Sequence, residues 1–202
     1  MDANNVEQAR QYALNRLERE LSPNLHYHGI VHTRDDVVPA AELLANLEGI
    51  KVESFYLLLT AAWFHDLGFV EKPANHEQIS ARIAAEILPG FGYTETQVEI
   101  IRWIIFATII PQAPKTILEK IMADADLDVL GRDDFMLRNV NLRCELGFQG
   151  KEYSDAEWYM GQLKFVETHT YFTMSARTLR DAGQLKNVAN LKRILEEISE
   201  GK

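Results

Sequence analysis

The run from Phe55 to Phe64 constrains this chain more than any other feature: it is apolar throughout except at Thr60. A helix that is apolar on almost every face is stable only when other elements surround it. The run therefore predicts a helix over about residues 53–66 in the middle of a domain. That helix ends on His65-Asp66, followed by Leu67-Gly68. Two ionisable groups at the end of a buried helix carry a desolvation cost unless something pairs with them. A metal ion is one such partner. The other reading is a histidine on the helix dipole with an aspartate capping the next turn. Adjacent helical residues point about 100° apart, so both reach one ion only where the helix frays, and Gly68 allows such an end.

The rest of the chain also reads as helices. Apolar residues recur at spacings of three and four over about 4–21, 33–47, 75–88, 94–108, 114–130, 132–146, 154–169 and 173–198. Thr94 with Gln97 and Ser154 with Glu157 have the capping-box pattern, Thr173 suits a cap, and Pro114 suits a first turn. Period-2 alternation is missing, so the fold class is all-α: a single-domain multi-helix bundle over 1–202. Its motif-bearing core lies at about 24–132, and C-terminal helices over about 133–198 pack on it. Cys144 is expected to be a small buried hydrophobe, and the polar and aromatic stretch from His169 to Arg177 a helix junction.

Composition narrows the function. The net charge is −9 over 202 residues and no Lys/Arg cluster appears, which argues against a nucleic-acid partner. The longest apolar run is far too short to span a bilayer, so no membrane partner is expected. The opening residues are polar and acidic and have no signal-peptide pattern. One cysteine excludes an intrachain disulfide. The expectation is a soluble, cytoplasmic protein.

Five of the six histidines fall within the first 76 positions. His28 and His32 in Tyr27-His28-x-x-x-His32-Thr33 are four apart and would share a face if that stretch is helical. Asp124, Asp126 and Asp128 sit in an otherwise apolar helix pattern. Asp124 and Asp128 would share one face and Asp126 the opposite one. If the outer pair is solvated, Asp126 points inward and needs a cation. Imidazole and carboxylate together suit a divalent metal.

The order His…His-Asp…Asp resembles the HD-domain superfamily of metal-dependent phosphohydrolases. Four stretches carry the likeness in order: Tyr27 to Thr33, Ala61 to Gly68, His76-Glu77-x-x-Ser80-Ala81, and Ala123 to Gly131. The resemblance implies that His32, His65, Asp66 and Asp126 ligate one divalent ion, with Asp124 the rival for the last place. Ligand type does not distinguish Mn, Mg, Fe, Co, Ni and Zn. It implies hydrolysis of a phosphate ester, in a nucleotide or related small phosphorylated metabolite, by attack of a metal-bound water that Asp66 orients. Tyr27-His28 is similar to a pair in the cyclic-nucleotide phosphodiesterase branch, which makes His28 the candidate acid. His76 and Glu77 are candidates for a second metal or for substrate phosphate, and Lys72, Lys115 and Arg132 for substrate phosphate. Binuclear branches need a further histidine, and none occurs between 76 and 169, so a second metal is the weaker expectation. Two alternatives stand beside hydrolysis: a non-catalytic nucleotide-binding regulatory module, and a diiron oxygenase. The missing histidine counts against the oxygenase.

Overall fold

The computed structural model describes residues 3–201. All regular structure among them is helical. The chain divides into two compact units, residues 1–126 and 127–202. The motif-bearing stretch expected over 24–132 straddles that division, and His32, His65, Asp66 and Asp126 all belong to the first unit.

In the first unit, α1 (Ala3–Glu20) is followed by an irregular bend, a π-helical turn (His32–Val37) that runs into α2 (Val38–Leu47), and α3 (Val52–Phe64). A 3₁₀ turn (Leu67–Val70), α4 (His76–Ile87), a second 3₁₀ turn (Leu88–Phe91), α5 (Glu95–Phe106) and α6 (Ile117–Asp126) complete it. As the apolar run requires, α3 lies at the centre, against α1, α2, α5 and α6. Leu58, Ala61, Ala62 and Phe64 on α3 are fully buried. Thr60, the one polar break in the run, donates to the Tyr56 carbonyl (2.8 Å) and meets the Tyr93 hydroxyl at 2.7 Å. The capping box of Thr94 and Gln97 forms as its spacing predicts.

Four local expectations are corrected. Helix α3 stops at Phe64, so His65 and Asp66 lie past its last residue, with Asp66 at φ −101°, ψ 6°. His28 sits in the irregular bend and not on a helix, so it and His32 do not share a helix face. Pro114 precedes α6, which opens at Ile117; Thr116 Oγ1 accepts there from the Glu119 backbone N–H at 3.3 Å. The outer aspartates are not solvated: Asp124 is fully buried and Asp128 is 5% exposed. Helical face counting fails at Asp128 because α6 has already ended.

The second unit holds a 3₁₀ turn (Asp128–Gly131), α7 (Phe135–Phe148), α8 (Asp155–Thr168) and α9 (Met174–Ser199). The Ser154–Glu157 capping box forms, and Thr173 Oγ1 accepts from the Ala176 N–H at 3.2 Å. Arg180 on α9 forks onto Asp128 at 2.6 and 2.9 Å, which accounts for that carboxylate's burial. Asn187 donates to the carbonyls of Leu130 and Arg132, both at 2.9 Å. The turn and α9 approach so closely that a Cβ at Gly183 would overlap the Gly131 carbonyl oxygen. Cys144 is exposed, contrary to expectation. Helix α7 turns Phe135, Asn139 and Glu145 inward and leaves Leu137, Val140 and Phe148 outward with it. Asn139 earns its burial by joining Trp158 Nε1 and Gln162 Oε1, each at 2.6 Å.

His169 closes α8, and Gln184 donates to its carbonyl at 2.8 Å. Its Nε2 is buried with no hydrogen-bond partner among the described residues. Burial holds this imidazole below the ordinary value of 6.5. Between the folded and unfolded values the unfolded chain binds more protons, so stability rises with pH there. The contribution is present in full above the unfolded value and is lost as pH falls through the folded one. Urea unfolding at pH 7.5 and 5.5 should show a larger loss on acidification for the wild type than for His169→Gln. Equal losses would contradict this account.

Candidate metal centre

Three elements of the first unit deliver the site. The π-helical turn carries His32, the break after α3 carries His65 and Asp66, and the last residue of α6 is Asp126. His32 Nε2 stands 3.3 Å from Asp126 Oδ1 and 3.7 Å from Asp66 Oδ2. His65 Nε2 stands 3.3 Å from Asp66 Oδ2 and 3.5 Å from Asp126 Oδ1. Donor atoms of His32, His65 and Asp66 lie within 4.8 Å of one another, and all three residues are buried. Two donors about 2.1 Å from a shared ion are roughly 3.0–3.4 Å apart at octahedral or tetrahedral angles. The observed separations are close to that range.

The proton arrangement is the sharper test. His65 Nδ1 lies 2.8 Å from the Ala62 carbonyl oxygen, which can only accept, so Nδ1 carries a proton. Neutral His65 therefore turns the lone pair of Nε2 toward two carboxylates. His65 Nε2 and Asp66 Oδ2 are both buried with no hydrogen-bond partner among the described residues. Acceptors that face one another in a buried site need a positive charge between them, either a further proton or a cation. A cation with oxygen and nitrogen ligands fits this donor set, two imidazoles and two carboxylates.

The protonation tendencies agree. Burial pulls His65 down, but the charge of Asp66 and contacts with both aspartates outweigh it and hold the imidazole well above the ordinary value. Burial pushes Asp66 up, and His65 with His76 brings it well below the usual carboxylate range. Asp126 is held at about 2: burial opposes the shift, and the neighbouring imidazoles of His32 and His65 produce it. The centre thus keeps both carboxylates ionised and attracts positive charge.

Asp66 also faces a second imidazole. His76, the first residue of α4, places Nε2 at 3.4 Å from Asp66 Oδ1 and Nδ1 at 3.2 Å from the Pro73 carbonyl. Glu77 lies beside it, Oε2 at 3.6 Å from Nδ1. His28 comes within 5.9 Å of His32 and 6.1 Å of His76, ring centre to ring centre. The other candidates are placed differently. Lys72 is exposed. Lys115 lines a surface groove of about 500 Å³ with Trp103 and Phe106, and no residue of the His/Asp cluster lines it. Arg132, in the second unit, forks onto Asp134 at 2.6 and 2.8 Å.

Sequence reasoning missed two residues that shape this centre. The Gly68 N–H donates to Ser80 Oγ at 2.8 Å, a buried bond that fixes the turn after Asp66 to α4. Phe69, 6% exposed, lies against both His28 and His76. The Ser80 spacing was visible as part of the His76 stretch; nothing in the sequence marked Phe69 as more than packing.

The sequence matches no protein-family model and no curated protein. Two solved structures share the fold. A predicted HD superfamily hydrolase from an uncultured Thermotogales bacterium is 20% identical, over 93% of this chain and 91% of that one, with a TM-score of 0.64. Bacillus subtilis YpgQ, solved in complex with ADP, is 20% identical over 96% and 94%, with a TM-score of 0.67. No helix among the described residues is long and apolar enough to cross a membrane. The described residues, helical in all their regular structure, therefore take the fold of these two structures.

Proposed function

We propose that this chain is a metal-dependent phosphohydrolase acting on a small phosphorylated metabolite, with a nucleotide the favoured class. One observation carries the reading: His65 Nε2 and Asp66 Oδ2 are buried without hydrogen-bond partners among the described residues and converge with His32 Nε2 and Asp126 Oδ1. Those four residues would hold one divalent ion. When bound, such an ion supplies Lewis acidity toward a phosphoryl oxygen and lowers the pKa of water.

The chain's own groups supply the rest. Asp66 has a second oxygen directed at His76, so it can orient a water by accepting its hydrogen bond. His28, whose ring lies near those of His32 and His76, would donate a proton to a leaving alkoxide. His76 and Glu77 border the same cluster and are candidates for the substrate phosphate. The ADP bound to YpgQ supports a nucleotide over other phosphate esters. We place the activity within one HD-type domain and in the cytoplasm.

The test is product release from a panel of nucleotides and phosphomonoesters, with Mn²⁺ and with chelator. Hydrolysis that requires the metal is expected, and the compound turned over fixes the substrate class. Tight nucleotide binding with no turnover of any compound would favour a regulatory binding module instead.

A further inference from the structure

Phe69 belongs to the turn that starts at Asp66, and two imidazoles rest on its ring. His28 stacks on it, with centroids 4.5 Å apart and planes at 18°. His76 lies 4.1 Å away at 32°. The turn is anchored at two successive backbone nitrogens: Gly68 N–H donates to Ser80 Oγ at 2.8 Å, and Phe69 N–H donates to the Asp66 carbonyl at 3.0 Å. The ring is thus tied to the backbone of Asp66 by three residues of chain, and it is buried. His28 stands in an irregular bend outside the helices. Its contact with Phe69 links that bend to the Asp66 turn.

We propose that Phe69 is a positioning residue for the reaction, a role that rests on the hydrolase reading above. Its ring presents one face to His28 and holds His76 against Asp66 Oδ1, so that the proton donor and the orienting carboxylate keep a fixed relation. A flat apolar ring does this well. It takes no proton and competes for no ligand, and it restricts the tilt of each imidazole through π-face contact. Misplacement of a catalytic group by about 1 Å can cost on the order of 10²-fold in rate.

The test compares Phe69→Ala, Phe69→Leu and Phe69→Tyr. In Phe69→Ala, kcat should fall by about 10- to 100-fold, with the Mn²⁺ affinity changed by less than about threefold, because His32, His65, Asp66 and Asp126 keep their mutual geometry. Phe69→Tyr, which retains the ring, should recover most of kcat. Phe69→Leu, which retains apolar volume without a ring face, should not. If Phe69→Ala does not fold, the Leu and Tyr pair carries the comparison. A readout independent of turnover is the NOE between the His28 and His76 ring protons in metal-free protein, whose ring centres lie 6.1 Å apart; it should weaken in Phe69→Leu and persist in Phe69→Tyr. Wild-type kcat or an unchanged NOE in Phe69→Leu would overturn this role while leaving the hydrolase reading intact. A parallel loss of Mn²⁺ affinity would also overturn it, by showing a general collapse of the turn. A wild-type chain that hydrolyses nothing would overturn the hydrolase reading and this role with it.

Discussion

Asp66→Ala is expected to weaken Mn²⁺ binding by at least about 10³-fold and to remove hydrolysis to the same extent, ~4 kcal/mol of lost stabilisation. Asp66 is used at both oxygens. Oδ2 faces His65 at 3.3 Å and His32 at 3.7 Å, and Oδ1 faces His76 at 3.4 Å. No other described residue near the centre duplicates that bridging position. Without it, fully buried His65 faces Asp126 alone. The centre then has three donors and one anionic charge fewer, so a divalent ion is neither enclosed nor neutralised. Asp66→Asn keeps the shape but not the charge and should fail almost as completely. Circular dichroism separates this from misfolding: both variants should keep the helical spectrum of the metal-free wild type.

Gly68→Ala should be the most damaging single methyl in the first unit. A Cβ there would overlap the His76 carbonyl oxygen and stand 2.8 Å from its carbonyl carbon. Backbone cannot yield as a side chain does, so the start of α4 must move away from the turn. That motion strains the buried Gly68–Ser80 hydrogen bond and separates His76 from Asp66. Overpacking of this kind costs about 3 kcal/mol. Urea unfolding measures it, with Gly90→Ala as the comparison, since nothing lies within 4 Å of a Cβ at that position. Gly90→Ala should stay within about 0.5 kcal/mol of wild type. Equal stability of the two variants would contradict the close approach of turn and helix.

The sequence was most legible where structure is decided locally. The caps at Thr94, Ser154 and Thr173 formed because each depends on residues three positions apart. The central place of α3 followed from a run with no polar face to present to water. The His/Asp set was readable because its order along the chain is itself a pattern, and the fold brings those four side chains together.

The misses arise where distant contacts override local pattern. Helical face counting put Asp128 on one face with Asp124, but the helix ends before it and Arg180, 52 positions on, pairs with it. Cys144 looked like core by composition, yet α7 buries Asn139 instead because Trp158 and Gln162 satisfy its amide. The start of α6 was set by Thr116 and Glu119 rather than by Pro114. Phe69 escaped notice because a phenylalanine after a glycine reads as ordinary packing until two imidazoles are seen lying on it.

We propose that His32, His65, Asp66 and Asp126 of the first unit form one divalent-metal centre. Calorimetric titration of the metal-free wild type with Mn²⁺, run beside Asp66→Ala, decides whether they do. One ion per chain is expected in the wild type, with the tight phase absent from the variant. A wild type that takes up no ion, or an Asp66→Ala chain that binds as tightly as the wild type, would contradict it.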